Sequence, residues 1–274
     1  MNSKKLIFLY IFLLLAVVAV MVQLRKANLK KQPPVRDYPQ IVSSGELNVA
    51  TGYNSVGYYV SGDSVVGFQY ELIQALGDAW GLKVNIFLGN SLDENLKGLL
   101  SGKYDIVAQN IPVNTHLRDS FAFTEPITFN KWVLVQRKAA FNDGIEPIRR
   151  HLDLAKKILY VPKNSPAIVR LNNLSHEIGD TVYVEQDDTY EAEQLVMMVA
   201  AGEIDFTVCD EKLAVRMAER LPEIDIDTDI GFTQLESWAV RKDSPILLDS
   251  LNAWLNRFRE TEKFRQIFNT YYAD

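Results

Sequence analysis

Asn110 and Asp210 stand one hundred residues apart, each closing one copy of a stretch that the chain repeats. Residues 99–110 read Leu-Leu-Ser-Gly-Lys-Tyr-Asp-Ile-Val-Ala-Gln-Asn, and residues 199–210 read Val-Ala-Ala-Gly-Glu-Ile-Asp-Phe-Thr-Val-Cys-Asp. Each copy gives a glycine, two further residues, an aspartate, an apolar run and a terminal polar group. Gly102 and Gly202 suit the left-handed position that closes a helix, and any helix-to-strand connection has that Gly-x-x-Asp look. Asn110 and Asp210 are not explained by it. They end two apolar runs that read as strands, and in open α/β sheets ligands bind beyond the carboxyl ends of the strands. If the copies belong to two facing lobes, this amide and this carboxylate project into one shared cleft.

Other chemistries have no support in the residues. His116, His151 and His176 are scattered, with no second ligand at i+3 or i+4, which argues against zinc. Cys209 is the only cysteine, so no intramolecular disulfide forms and no lipid-acceptor cysteine lies near the start. Glycine-rich phosphate loops and a serine nucleophile elbow are absent, and no cofactor is expected. The formal charge of −6 is uneven. Residues 1–36 carry seven basic side chains and no acid, which leaves 22 basic against 35 acidic residues, a charge of −13, for the remainder. Such an acidic body repels a phosphate backbone, so no nucleic-acid partner is expected.

The elements that must position the two residues follow a βα alternation. Residues 47–51, 83–88, 106–109 and 131–136 read as strands, with helices at 69–80 and 92–100. The pattern then restarts, with strands at 157–161, 182–185, 204–208 and 238–241 and helices at 166–174, 191–201, 211–221, 246–258 and 262–272. Ser91 with Glu94, and Asp188 with Glu191, read as capping boxes opening the helices ahead of the two repeat copies. This order implies parallel sheets covered by helices. Neither half holds enough strands for one large sheet, so two small α/β lobes are expected.

Ahead of the lobes, residues 6–24 are apolar except for Gln23. As a helix they would span roughly 28 Å, close to a bilayer core. No A-x-A cleavage site follows, so an uncleaved anchor is preferred to a cleaved signal peptide. Lysines 4 and 5 oppose Arg25, Lys26, Lys30 and Lys31 across the segment, and the charge rule does not settle its orientation. The expected organisation is a tail at 1–5, a transmembrane anchor at 6–24 and a linker at 25–44. Lobe 1 then takes residues 45–134 and 236–274, and lobe 2 residues 135–235.

Several stretches together resemble the family 3 extracellular (periplasmic) solute-binding proteins. Residues 46–51, Val66-Gly67-Phe68 with the helix after it, residues 103–110 and Phe123-Thr124-Glu125-Pro126 look like the first lobe of that family. Residues 161–167, 202–211 and 238–244 look like its second lobe and the return. The start of the globule, Tyr38-Pro39-Gln40-Ile41 through Leu47, resembles the binding module of membrane-bound lytic murein transglycosylase F. The resemblance implies a two-lobed periplasmic-binding-protein-like (class II) α/β fold with hinges near 132–136 and 233–237, closing on a small-molecule ligand.

On the same resemblance Tyr53, Tyr58 and Phe68 are candidate ligand contacts, and Asp210 would accept hydrogen bonds from a ligand ammonium. Asp210 can equally cap the helix that follows it, and the two roles are compatible. Ser165 could meet an anion or cap its own helix. Amino-acid binders of the family clamp the ligand carboxylate with an arginine, and the matching position here is Leu117. Arg118 or Lys131 would have to substitute, or the ligand lacks that carboxylate.

The expected role is a membrane-anchored, extracytoplasmic, non-enzymatic binder of an amino-acid-like compound, peptide or cell-wall fragment, serving transport or sensing. A permease or a cell-wall enzyme is the macromolecular partner such a role calls for. Two alternatives stay open: a ligand-sensing module of a cell-wall lytic system, and a dehydratase using Glu125, Glu236 or Asp210 as its acid. Because the sequence ends at Asp274, just past the last lobe-1 helix, murein cleavage is expected to require a separate protein.

Overall fold

From Ser3 to Leu29 the sequence holds neither glycine nor proline, and it forms one helix, α1 (Ser3–Leu29). This computed structural model describes residues 3–29, 36–89 and 91–272. Residues 1–35 and 36–274 form two separate compact units. The side chains described on α1, from Tyr10 to Gln23, are all exposed. Among the described residues, no helix is long and apolar enough to cross a membrane. Residues 30–35 of the expected linker lie outside the described residues.

The end of that linker is structured. Asp37 caps α2 (Tyr38–Ser44) in a capping box with Gln40, and Gly45 closes the helix at φ 71°. The same carboxylate accepts the N–H groups of Ile246 (3.1 Å) and Leu247 (2.6 Å), at the start of α9 (Pro245–Arg259). One buried aspartate thus satisfies orphan donors at two helix starts, tying the beginning of the unit to its last third.

The first sheet runs β4–β1–β5–β13–β6, with β7 also paired to β13. Its parallel strands are β1 (Glu46–Gly52), β4 (Lys83–Gly89) and β5 (Ile106–Pro112). Antiparallel to β5 lies β13 (Gln234–Arg241), which also pairs with β6 (Phe121–Phe123) and β7 (Thr128–Asn130). A hairpin of β2 (Tyr59–Ser61) and β3 (Ser64–Val66) precedes α3 (Phe68–Trp80). This sheet also carries α4 (Leu92–Leu100), α5 (Thr115–Ser120), α9 and α10 (Glu262–Tyr272).

The second sheet runs β10–β9–β11–β8–β12. Here β9 (Ile158–Pro162), β10 (Tyr183–Asp187) and β11 (Thr207–Asp210) are parallel, while β8 (Trp132–Arg137) and β12 (Ile224–Asp229) run against their neighbours. Its helices are α6 (Ala167–Ile178), α7 (Ala192–Ala201) and α8 (Glu211–Ala218). Both sheets are therefore mixed, not parallel as the alternation alone implied. A strand that leaves one sheet and returns from the other must enter in the opposite sense, and β8 and β13 do so.

Two passages join the sheets. Lys131 alone separates β7 from β8, just ahead of the expected 132–136, and residues 230–233 separate β12 from β13. Trp238, fully buried, packs face-on toward Trp254 of α9 and donates its indole N–H to Gln69 of α3 at 2.7 Å. The N-cap half of one expected capping box forms, and the other box does not. Ser91 accepts the Glu94 N–H, whereas α7 begins at Ala192 with no side-chain cap. Asp188 is displaced from that role because Asp187 turns the chain first, accepting the N–H groups of Thr189 and Tyr190 at 2.8 Å.

Candidate ligand-binding cleft

The two copies of the repeat land in the two sheets as β5 and β11, and their last polar residues face the same enclosed space. Asn110 and Asp210 line a cavity of about 160 Å³ together with Gln69, Gln109, Trp132 and Glu236, and with Val56, Leu92 and Leu213 as apolar wall. A wider mouth of about 590 Å³ continues past Asn54 and Leu92 to Tyr53 on one side and Thr189–Gln194 on the other. Among the described residues lining the inner cavity there is no lysine, arginine or histidine.

Asp210 closes β11 opposite Trp132 of β8 and caps α8, accepting the Leu213 N–H at 3.0 Å. Its second oxygen accepts from the Asn130 amide, whose own carbonyl receives the Lys131 N–H at 2.8 Å. Burial pushes the Asp210 carboxyl up, against the lowering effect of the Leu213 and Asn130 donors. Glu236, at the start of β13, is 4% exposed, and its carboxylate accepts the Thr128 hydroxyl at 3.0 Å. Desolvation first, and the nearby Asp210 charge second, hold Glu236 well above the ordinary carboxylate range. A buried acid, Glu236, and a half-buried one, Asp210, thus share one cavity.

Asn110 is held on both ends of its amide. Gln69 donates to its oxygen, and its nitrogen donates to the Tyr272 hydroxyl at 2.6 Å. With Trp238 donating to Gln69, a chain of hydrogen bonds runs from the first-sheet core to the last helix. Burial raises the Tyr272 hydroxyl strongly, with Asp210 and Glu236 adding to the effect, so it stays protonated.

The remaining candidates take other places. Tyr53 is 59% exposed at the mouth. Tyr58 does not line the cavity; it is half-buried, edge-on to Tyr70 at 5.5 Å. Phe68 is fully buried and packs edge-on to Tyr272 at 4.6 Å, supporting the cavity floor from behind. Ser165 sits outside the cavity, where its hydroxyl accepts the Ala167 N–H at 3.3 Å and helps start α6. Arg118 is exposed on α5. Asn114 caps that helix by accepting the Leu117 N–H at 2.9 Å, and Leu117 turns inward onto the cluster around Leu96 and Leu99. One residue further on, about 100° around the helix, Arg118 points away. Lys131 lines a small side recess that Trp132, Asp210 and Glu236 share with the cavity, and it is bound to Asp229 at 2.8 Å and to Glu211 at 3.2 Å.

Gln69 and Glu236 line the cavity, Asn130 and Tyr272 hold its polar groups, and strand-end reasoning points to none of the four, although Glu236 stands among the candidate acids. Glu236 carries a usable signal, since it is an acid heading the run Ser237–Val240, which is buried throughout. Across the mouth, the Ser55 N–H donates to Glu193 of α7 at 2.6 Å, and Arg216 of α8 donates to the Tyr59 hydroxyl at 3.3 Å. These two bonds tie the β2–β3 region of the first lobe to the second.

Residues 47–274 match the bacterial extracellular solute-binding proteins, family 3. The membrane-bound lytic murein transglycosylase F of Aeromonas hydrophila is 29% identical over 209 residues, which is 76% of this chain and 41% of that protein. The chain thus spans less than half the length of that relative. Among solved structures, a mutant of ArgBP from T. maritima superposes with a TM-score of 0.73 at 20% identity, covering 86% of this chain and 99% of the other. An ancestral amino acid-binding protein described as a precursor of cyclohexadienyl dehydratase gives a TM-score of 0.72 at 19% identity, covering 85% and 98%. These likenesses establish a two-lobed α/β binding-protein fold.

Proposed function

The chain belongs to the bacterial extracellular solute-binding proteins, family 3, and from that premise we propose that it closes its two lobes around a small, amino-acid-like polar ligand outside the cytoplasmic membrane. One observation carries the reading. Asn110 and Asp210, from opposite lobes, line a single cavity between the lobes, whose rim is bridged by Ser55–Glu193 and Tyr59–Arg216. A ligand that touches both lobes gains its full contacts only in the shut form, so binding must favour closure. A thermal-shift screen of amino acids, amines, short peptides and cell-wall fragments identifies a ligand. Small-angle scattering should then show a smaller radius of gyration at saturation. An unchanged scattering profile with bound ligand would sink the clamshell mechanism.

In this reading residues 6–24 are the membrane anchor, supported by their length and by the missing cleavage site. The full chain should sediment with membranes and need detergent for release. A mature protein that begins after residue 20 and is free in solution would refute the anchor.

A second reading, a ligand-sensing module acting on a cell-wall lytic enzyme, is supported by the likeness to the transglycosylase F relative. Dehydratase chemistry is a third, supported by two acids in one cavity whose carboxyls burial pushes up. Product formation from a ligand that the screen identifies would favour the third over both binding roles.

A further inference from the structure

The cavity is a ligand site on grounds of fold and family, independent of its charge; its charge decides what fits. Resting on the solute-binding reading above, we propose that the cleft selects an organic cation that carries no acid group, an alkylamine, diamine or alkylguanidine, over a zwitterionic amino acid.

The argument starts from the lining. Two carboxylates, Asp210 and Glu236, enter the cavity from opposite lobes. No cationic side chain lines the cavity itself among the described residues, and the one that shares a side recess with both acids, Lys131, is already paired. The basic groups nearby are engaged or turned away: Lys131 lies between Glu211 and Asp229, Arg216 binds Tyr59 and Glu219, and Arg118 points outward. A ligand carboxylate would therefore be desolvated beside two acids with no counter-charge, an expensive arrangement. An ammonium or guanidinium group supplies what the pair lacks. Val56, Leu92 and Leu213 offer apolar wall for a methylene chain, and the Trp132 ring offers a face for a cation.

The groups facing Glu236 support the same reading. Asp210 approaches from β11, the Tyr272 hydroxyl from α10, and Thr128 and Asn130 from β7 without titrating. Glu211 adds negative charge near Asp210, Lys131 is neutralised by its own partners, and the Cys209 thiol is pushed far up by burial. Without ligand the acid pair keeps a proton, and an entering cation displaces it.

Calorimetric titration of the full chain with cadaverine against L-lysine, and with agmatine against L-arginine, tests the proposal, because each pair differs only by the α-carboxyl group. In at least one pair the amine should bind about tenfold or more tighter than its amino acid. Its binding heat should also vary with the ionisation enthalpy of the buffer, as proton release requires. Glu236→Gln should weaken amine binding and abolish the buffer dependence. Its melting curve checks the fold. In the wild type, the raised Glu236 carboxyl contributes stability that is complete below its unfolded pKa of about 4.3 and is lost as pH rises through its folded value. Ligand-free Glu236→Gln should therefore melt above wild type at pH 8.

An amino acid that binds as tightly as its amine, or amine binding without proton release, overturns the proposal and leaves solute binding intact. Silence from all four compounds, with another ligand found in the wider screen, does the same. Silence throughout overturns both.

Discussion

Replacing Asp210 with alanine is expected to weaken ligand binding by roughly 2–5 kcal/mol while lowering stability by only about 1 kcal/mol. The two effects separate because the two carboxylate oxygens do different work. One accepts the Leu213 N–H and caps α8, and losing it costs what a helix cap costs. The other meets the Asn130 amide at the passage between the sheets, beside the cavity, where a buried negative charge answers a ligand cation. Stability is cushioned further because removing Asp210 also removes the like charge that acts on Glu236. Asp210→Asn sharpens the test. It keeps the capping oxygen and removes the charge but turns an amide donor toward the Asn130 donor, so it should melt no lower than the alanine variant and still bind poorly. Titration calorimetry and thermal melting on both variants decide the matter. Full affinity with early melting would reduce Asp210 to a cap.

The second large effect lies at the matching aspartates of the repeat, which share a sequence position and not a role. Asp105→Ala should destabilise by about 3–5 kcal/mol, the cost of stranding buried charge. Its carboxylate is fully buried and accepts the Asn48 N–H at 2.9 Å and the Arg36 guanidinium at 3.0 Å. Arg241, 7% exposed, lies 3.8 Å away. Asp205, by contrast, has a side chain 72% exposed, and its partner Arg137 keeps Asn142 and the carbonyls of Val199 and Ile204. Asp205→Ala should therefore cost less than about 1 kcal/mol. Urea unfolding of the two variants gives the comparison, and equal losses would refute it.

That contrast shows where sequence reasoning reaches and where it stops. The periodic helices and the longer strands are legible because a buried face repeats at a fixed interval, as in α3 and α9. Three-residue strands such as β6 and β7 are too short to repeat anything. In β12 a bulge between Asp225 and Thr228 breaks the alternation, and Asp225 is buried because Arg149 clasps it at 2.6 Å. At the site, Asn110 and Asp210 could be found because strand ends in such sheets face ligands. Tyr272 arrives on the last helix, far along the chain, so no local spacing announces it, whereas Glu236 is marked only as an acid heading a buried run. Phe68 illustrates the reverse, since a motif places it beside the ligand while three aromatic neighbours, Phe268, Tyr271 and Tyr272, pack around it in the core. Arg118 fails by a single residue of helix rotation.

The knot at the start of the second unit has a mechanical consequence. Arg36 binds Asp105, its carbonyl accepts from Arg241 at 2.7 Å, and Asp37 pins α9. Tyr272, at the other described end of the unit, is held by Asn110 of the same sheet. A pull applied between Arg36 and Tyr272 is therefore borne within the first lobe. The second lobe, whose chain connections are Lys131 and residues 230–233 and whose rim contacts are Ser55–Glu193 and Tyr59–Arg216, lies off the load path. A pull applied at Arg36 would load the side-chain contacts beside β1 and β5 and would leave any movement between the two lobes unloaded.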